Sequence, residues 1–347
     1  MAGVECFRGS LLAGAFRFYC IGAYVRIVKM ARIDELRLMA KVARMYYLQG
    51  IRQQGITEQL HIHQSTVSRL LKRAREANIV RVTVNNPPGI FAEMEDRLVA
   101  QFKLQDAVVV DCPAEEGPMV RDLGAALAYF VETSLKPGAV VGISSWSRSL
   151  FAMVDALHPG DYCRGGKVVQ ILGGVGQVGT EAHAFYSAQR LATLIGATPV
   201  LLQAPAVVGS AEAQRVLARD PSVKAATELF DQLDVALVGI GSMEPSRLLA
   251  SSGNIFSPAE RAELSRHGAV GDICFRSFDA DGKPVKSPLM QRVIGIGFPT
   301  LRRVNRVVGV AGGRRKVQAI LAALRGGWID ILITDQRTAA SLLSEET

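Results

Sequence analysis

The period of the apolar positions changes along this chain, and each change predicts a different kind of element. Over residues 34–49, DELRLMAKVARMYYLQ, the residues Leu36, Met39, Ala40, Ala43, Tyr46 and Tyr47 recur at helical spacing with arginine and lysine opposite, predicting an amphipathic helix. After Gly50 the string IRQQGITEQLHIHQSTVSRLLKRAREANIVRVTV gives a short stripe of Ile56 and Leu60, a tight turn before Ile62, and a second stripe of Val67, Leu70 and Leu71. That spacing predicts two short helices crossing steeply around a small core, the second starting near His63 or Gln64. The alternating IVRVTV behind them reads as a strand, the wing of a winged helix-turn-helix.

Beyond Asn85-Asn86-Pro87-Pro88-Gly89, a dense run of turn formers that marks a boundary, the pattern is different. Residues 91–103 predict an amphipathic connecting helix. Then continuous apolar runs predict strands at 106–111, 139–144, 167–172, 198–203, 234–241, 306–312 and 330–335. Helical patterns at about 117–135, 147–157, 183–195, 211–231, 258–266, 313–325 and 336–344 separate them. Continuous rather than alternating strands, spaced by helices, predict an α/β fold with a doubly wound, mainly parallel sheet covered on both faces. Residues 268–285, GAVGDICFRSFDADGKPV, read as a strand pair with a tight turn at Asp281-Gly282. The expected organisation is an extension over 1–29 ahead of a start at Met30, a winged helix-turn-helix over 30–84, a linker and connecting helix over 85–104, and a ligand-binding domain over 105–347.

Charge sharpens this division. Of 40 basic and 32 acidic residues, residues 1–84 carry 14 and five, and residues 85–347 carry 26 and 27. The excess positive charge therefore sits in the first quarter, the footprint of a polyanion-binding segment on a near-neutral body. Cys6, Cys20, Cys112, Cys163 and Cys274 are odd in number and scattered, with no CxxC, which excludes a disulfide framework and a zinc finger and suits a reducing cytoplasm. The apolar stretch 11–28 is broken by Arg17 and Arg26, which argues against a membrane span.

On the second of the two short helices, Gln64, Ser65, Ser68 and Arg69 face away from the core stripe and are placed to reach base edges, where arginine suits guanine and glutamine suits adenine. Lys72, Arg73 and Arg75 are placed to meet phosphates. His61 stands at the turn position that favours glycine, Gly55 weakens the first helix, and Thr57 stands where such cores take alanine. His61 and His63, without a carboxylate or thiol beside them, read as a turn and a capping residue and not as a metal site.

In the larger region, ligands of such sheets bind at the carboxyl ends of strands. The string VGISSWSRSL carries Ser144, Ser145, Ser147, Arg148 and Ser149 from a strand into a helix, an arrangement of hydroxyls and backbone N–H groups that seats an anion. Gly173, Gly174 and Gly176 in ILGGVGQVGT, the turn in DVALVGIGS, and Gly312, Gly313 and Lys316 in RVVGVAGGRRK repeat the device. Asp272 is either a turn aspartate or an acceptor for sugar hydroxyls. These turns together point to a phosphate-bearing, polyhydroxy ligand.

The strings TVSRLLKRAREANIVRVTV, VVQILGGVG, DVALVGIGS, GAVGDI and RVVGVAGGRRKVQAILAALRGGWIDILITDQRTAASLL resemble the SorC/DeoR family of sugar-binding transcriptional regulators over about residues 34–345. The resemblance implies a winged helix-turn-helix joined to an effector domain similar to the ribose-phosphate isomerase and glucosamine-phosphate deaminase fold. It further implies a dimer or tetramer whose binding to double-stranded operator DNA is switched by a sugar phosphate. Carried onto this chain, the phosphate would sit on the Ser144–Ser149 loop, Gln170 and Gly173–Gly176 would line the pocket, and Asp272 and Lys316 would reach hydroxyls or a second phosphate. Many members have a glycine and a threonine where this chain has Ser147 and Ser149, which leaves a free polyol as an alternative effector.

The rival reading is a sugar-phosphate isomerase or deaminase with a basic appendage. That chemistry needs a positioned general base. Asp272 and Asp335 are the nominees, and no paired carboxylates or histidine–aspartate constellation stands out. No catalytic residue, metal ligand or cofactor is assigned, and a regulator acting in the cytoplasm without a membrane partner is expected.

Overall fold

The structure, a computed structural model, describes residues 34–80, 87, 89–175, 181–246, 249–250 and 255–344. The chain divides between Asn85 and Asn86 into two compact units.

The first unit holds helix α1 (34–47), α2 (Gln53–Leu60) and α3 (Gln64–Glu76). Its core is Met39, Val42, Ala43, Met45, Ile56, Val67, Leu70, Leu71 and Ala74, with Leu60 and Ile62 packed at the edge. The α2 and α3 stripes thus face inward as their spacing requires. On α1 the expected face is rotated: Leu36, Tyr46 and Tyr47 are exposed, and Val42 and Met45 are buried in their place. The two tyrosines meet each other edge to face instead, with ring centroids 5.0 Å apart. His61 ends α2 with φ 51°, the left-handed conformation its position demands. His63 occupies the N-cap position of α3, but its side chain makes no capping bond. Thr57 is half-buried, and its hydroxyl donates to the Gln53 carbonyl at 3.0 Å, so the polar group is satisfied within the helix. The wing strand expected over 79–84 and the extension over 1–29 fall largely or wholly outside the described residues.

The second unit begins with α4 (Ala92–Phe102) and is built on seven parallel strands: β1 (Asp106–Val110), β2 (Val140–Ile143), β3 (Lys167–Gln170), β4 (Thr198–Val200), β5 (Val235–Gly239), β9 (Arg306–Val310) and β10 (Ile331–Asp335). Their order is β1-β10-β9-β5-β2-β3-β4. Every strand predicted from a continuous apolar run is present. Both sheet faces are covered, so successive side chains enter two different cores. Val235, Leu237, Val308, Val310, Ile331 and Ile333 pack under α5 (Glu116–Ser134), α6 (Arg148–Ala156) and α7 (Glu181–Ile195). Ala236, Val238, Val307 and Leu332 pack with Leu98 of α4 and with the helices Val317–Arg325 and Gln336–Ser344.

The helix expected over 211–231 is broken. Pro221 starts a new helix, with the Asp220 carboxylate accepting from Ser222 N–H at 2.9 Å, and the residues after it tighten into a 3₁₀ turn. Beside the main sheet lies a three-stranded antiparallel one, β6 (Gly241–Ser242), β7 (Gly271–Ile273) and β8 (Arg276–Phe278). The tight turn joining β7 and β8 is Cys274-Phe275, not Asp281-Gly282. Both residues have positive φ, 50° and 58°, and the Asp272 carboxylate accepts the Phe275 N–H at 3.0 Å in place of what glycine would contribute. The Asp281-Gly282 turn follows as a second reversal, closed by the Phe278–Pro284 bridge.

Candidate functional site

In the strand order, the chain runs outward from β2 through β3 to β4 in one direction, and from β5 through β9 to β10 in the other. β2 and β5 are therefore the adjacent strands at which the winding reverses, and the loops leaving their carboxyl ends diverge to open a crevice. A cavity of about 150 Å³ lies there, lined by Ser144–Ser149 after β2, Gly239–Ser246 after β5, Asp272 on β7 and Lys316.

The Ser144–Ser149 loop is tightly held. Trp146 adopts φ 67° and donates its indole N–H to the Gly173 carbonyl at 3.2 Å. Ser145 Oγ donates to the Leu172 carbonyl and accepts from Gln170 Nε2, both at 2.8 Å, and Gln170 Oε1 accepts the Leu202 N–H at 3.1 Å. Ser147 is the N-cap residue of α6 and its side chain makes no capping bond. The first-turn N–H groups of α6 thus open on the cavity with the Ser147 hydroxyl beside them, an anion-binding arrangement.

Two pairs of opposite charges stand around the cavity, Arg148 with Glu116 and Lys316 with Asp272. Arg148 Nη1 lies 2.6 Å from Glu116 Oε1 of α5. Burial pushes the Asp272 carboxyl up to about 6, while the Phe275 N–H and nearby Lys316 act in the opposite direction. Burial likewise lowers the Lys316 ammonium, offset by Asp272 and Glu116. A cation and a carboxylate that are both reluctant to be charged face a common space, which suits hydroxyl-rich or anionic ligands able to bond to either.

Of the residues nominated from sequence, Ser144, Ser145, Ser147, Arg148, Ser149, Asp272 and Lys316 converge on this cavity. Gln170, Gly173 and Gly174 do not line it. Gln170 is buried beneath the loop as its prop, and a Cβ on Gly173 would strike the Pro205 carbonyl oxygen at 2.4 Å, so this glycine serves packing. Gly176 lies outside the described residues. Sequence reasoning missed Glu116, Trp146, Arg261, Phe256 and Ser277, which reach the cavity from separate elements. Ser277 pairs directly with Asp272 across β7 and β8, a register set by the unexpected Cys274-Phe275 turn.

Asp335 has a different task. Its carboxylate accepts the N–H groups of Gly313, Arg337 and Thr338 at 2.8, 3.1 and 3.0 Å and the Thr338 hydroxyl at 2.5 Å. It caps the last helix and fastens the Gly312-Gly313 turn that carries Lys316, leaving little capacity for proton transfer. His267 Nδ1 lies 2.8 Å from the Glu263 carbonyl in its own helix. Among the described residues no three histidine, cysteine or acidic side chains come together as a metal site, and no helix is long and apolar enough to cross a membrane.

In the first unit, Gln64, Ser65, Ser68, Arg69, Lys72 and Arg73 are all exposed on α3, while Val67, Leu70, Leu71 and Ala74 are buried. Lys72 lies 3.9 Å from Glu76. Arg73 is ion-paired to Glu35 of α1, which neutralises part of the charge expected to meet phosphate.

A basic helix-turn-helix and a switch-point pocket on one chain define a ligand-responsive DNA-binding protein. Comparison with known proteins gives the family. Residues 87–344 match the family described as "Putative sugar-binding domain". The chain is 33% identical over 313 residues to the deoxyribonucleoside regulator of Bacillus subtilis, covering 90% of this chain and 99% of that one. It is 32% identical over 317 residues to the sorbitol operon regulator of Klebsiella pneumoniae, covering 90% and 100%. The crystal structure of that full-length regulator, SorC, superposes with a TM-score of 0.68 at 31% identity, covering 90% of this chain and 100% of that chain. The sugar-binding domain of a DeoR regulator from Pseudomonas syringae pv. tomato gives 0.57 at 39% identity, covering 73% and 99%. The chain belongs to the SorC/DeoR family of sugar-binding transcriptional regulators.

Proposed function

We propose that this protein binds the operator of a carbohydrate or polyol catabolic operon through α3, and that a sugar held in the switch-point cavity sets its affinity for that DNA. The observation that carries the reading is the meeting of the α6 N-terminus, the Ser147 hydroxyl, Lys316 and Asp272 around one cavity. A sugar phosphate fits this arrangement, with its phosphate at the Ser144–Ser149 loop competing with Glu116 for Arg148 and its hydroxyls donating to Asp272. A free polyol is the second reading, favoured by the Arg148–Glu116 pair, which leaves no uncompensated cation at the loop.

In this reading Gln64, Ser65, Ser68 and Arg69 read bases and Lys72 meets phosphate. Residues 30–84 form the DNA-binding domain, 85–104 the linker and connecting helix, and 105–347 the effector domain of a dimer or tetramer acting in the cytoplasm. Named relatives are regulators, and catalysis is not assigned to this chain: Asp335 is committed to its capping bonds, no histidine is among the described residues lining the cavity with Asp272, and the two other carboxylates there, Glu116 and Glu244, are ion-paired to Arg148 and Arg315.

The test is a thermal-shift screen of the full chain against sugar phosphates and free polyols, followed by titration of the upstream promoter with and without the hit. A ligand at 100 times its dissociation constant adds about 2.7 kcal/mol to native stability, which is readily seen. A hit that changes promoter affinity supports the reading. A hit that is converted to product and leaves promoter affinity unchanged replaces it with the enzyme reading.

A further inference from the structure

A second cavity, of about 630 Å³, also borders the β7–β8 hairpin and is within the size range of ligand pockets. Its walls include Arg276, Ser277, Met290, Phe298, Arg302 and Trp328, and no acidic residue lines it. Phe298 and Trp328 stack with ring centroids 4.0 Å apart, and the Arg302 guanidinium lies 4.4 Å from the Trp328 ring centroid. The apolar surface is thus flat and aromatic, and both titratable groups on it are cations.

The charge of Arg276 is the informative feature. Its guanidinium donates to the carbonyls of Met290, Val293, Gly295 and Ile296 at 2.6 to 3.3 Å, which accounts for four of its five N–H groups and leaves one on Nη1. Carbonyl dipoles hold it in place, yet no carboxylate among the described residues pairs with it, and burial lowers its pKa. Arg302 donates to the Gly326 carbonyl at 2.9 Å and also has no carboxylate partner among the described residues. Two arginines without counter-charge beside an aromatic wall are complementary to an anion borne on an apolar ring.

We propose that this cavity is a second ligand site, separate from the sugar pocket, that takes a small organic anion with a flat apolar body, an aromatic carboxylate being the simplest example. Ser277 lines both cavities, and Arg276 adjoins it on the strand that pairs with Asp272. The two cavities therefore share one wall, the β7–β8 hairpin.

The chain has two tryptophans, one at each cavity: Trp146 at the switch point and Trp328 here. Full-length protein labelled with 5-fluorotryptophan gives two fluorine resonances, and Trp146→Phe assigns them. Titration with benzoate is expected to shift the Trp328 resonance saturably and leave that of Trp146 in place. Benzyl alcohol, with the same ring and no charge, is expected to bind about tenfold or more weakly, as is benzoate to Arg302→Gln. Because the alcohol comparison uses the native chain, it decides the matter even if that variant folds poorly. Equal binding of benzoate and benzyl alcohol, a shift confined to Trp146, or no shift at millimolar benzoate overturns the proposal. A Trp328 shift that follows protein concentration instead of benzoate overturns it too, and makes the cavity a contact between copies.

Discussion

A Cβ at position 241 would lie 2.2 Å from Asp272 Oδ1, so Gly241 and Asp272, register partners across β6 and β7, are fitted to each other. The group that must move on substitution is a side chain, but it also accepts the Phe275 N–H that holds the Cys274-Phe275 turn, so Gly241→Ala is expected to cost about 1–2 kcal/mol of stability while turning the carboxylate away from its place in the cavity. Effector-dependent change in operator affinity should fall at least tenfold, with a modest drop in melting temperature. Gly282→Ala is the contrast. There the methyl group would meet Gly326 N and Ala322 O at 2.3 and 2.4 Å, on a residue with φ 78°. Backbone cannot yield as a side chain does, and a loss of about 3 kcal/mol or more in thermal unfolding is expected.

Asp272 also gives the pocket a pH dependence of known sign. Burial raises its carboxyl to about 6 from an ordinary 3.8, so between those values the folded chain binds more protons than the unfolded one. Its contribution to stability is therefore greatest below the unfolded value and declines as pH rises through about 6. Asp272→Asn can still accept the Phe275 N–H and removes the buried charge. Melts from pH 4 to pH 8 should show the variant losing less stability with rising pH than the native chain. The difference should reach at most about 3 kcal/mol, because raising a carboxyl pKa by one corresponds to about 1.4 kcal/mol. Ligand binding should respond in the opposite direction. Sugar hydroxyls donate best to the ionised carboxylate, so native affinity should rise through pH 6, and calorimetry of the variant should show that dependence flattened.

How legible these features are in the sequence depends on how local their causes are. The five inner strands of the large sheet, β10, β9, β5, β2 and β3, are readable because burial on both faces makes each a nearly unbroken apolar run, and the Ser144–Ser149 loop is readable because it sits at one strand's carboxyl end. The Cys274-Phe275 turn is not, since neither residue favours positive φ. What sustains it is the bond from Phe275 N–H to Asp272. Pro221 is visible as a break, but the helical pattern continues across it. Glu116, Arg261 and Ser277 carry no local sign of a site, because only the fold brings α5, the helix Pro258–Arg266 and β8 to one cavity. The exposure of Tyr46 and Tyr47 depends on how far α2 and α3 cover α1, which periodicity does not encode.

The Arg73–Glu35 ion pair bears on DNA affinity. Each phosphate neutralised by a basic side chain adds about 0.9 to the slope of log affinity against log salt on duplex DNA. Glu35→Gln should release Arg73 toward phosphate and steepen that slope by up to about 0.9, whereas Lys72→Ala should flatten it by a similar amount. Operator binding measured across a range of salt concentrations separates the two. If Glu35→Gln leaves the slope unchanged, Arg73 is a structural tie between α1 and α3 and not a DNA contact.

His61 holds φ 51° at the end of α2, a conformation that is costly for a side chain with a Cβ and free for glycine. His61→Gly is expected to stabilise the first unit by about 1 kcal/mol, offset in part by the greater freedom of glycine in the unfolded chain. The gain would be read in the thermal unfolding of the full chain.

Arg69 and Lys316 test whether reading DNA and sensing ligand are separable. Arg69 is exposed on the α3 face opposite Val67 and Leu70, so Arg69→Ala should cost about 1–3 kcal/mol in operator over non-operator affinity and leave the ligand-induced thermal shift intact. Lys316 lies in the other unit, at the start of the helix Val317–Arg325, with its charge disfavoured by burial and supported by Asp272. Lys316→Met keeps the volume and removes the cation. Operator affinity without ligand should be unchanged, and the ligand's effect on it should be blunted at least tenfold. Loss of Lys316 also removes the charge that favours ionised Asp272, so the residual ligand affinity should rise at a higher pH than in the native chain. Parallel loss of both functions in either variant would show that the two are not divided between the units as proposed.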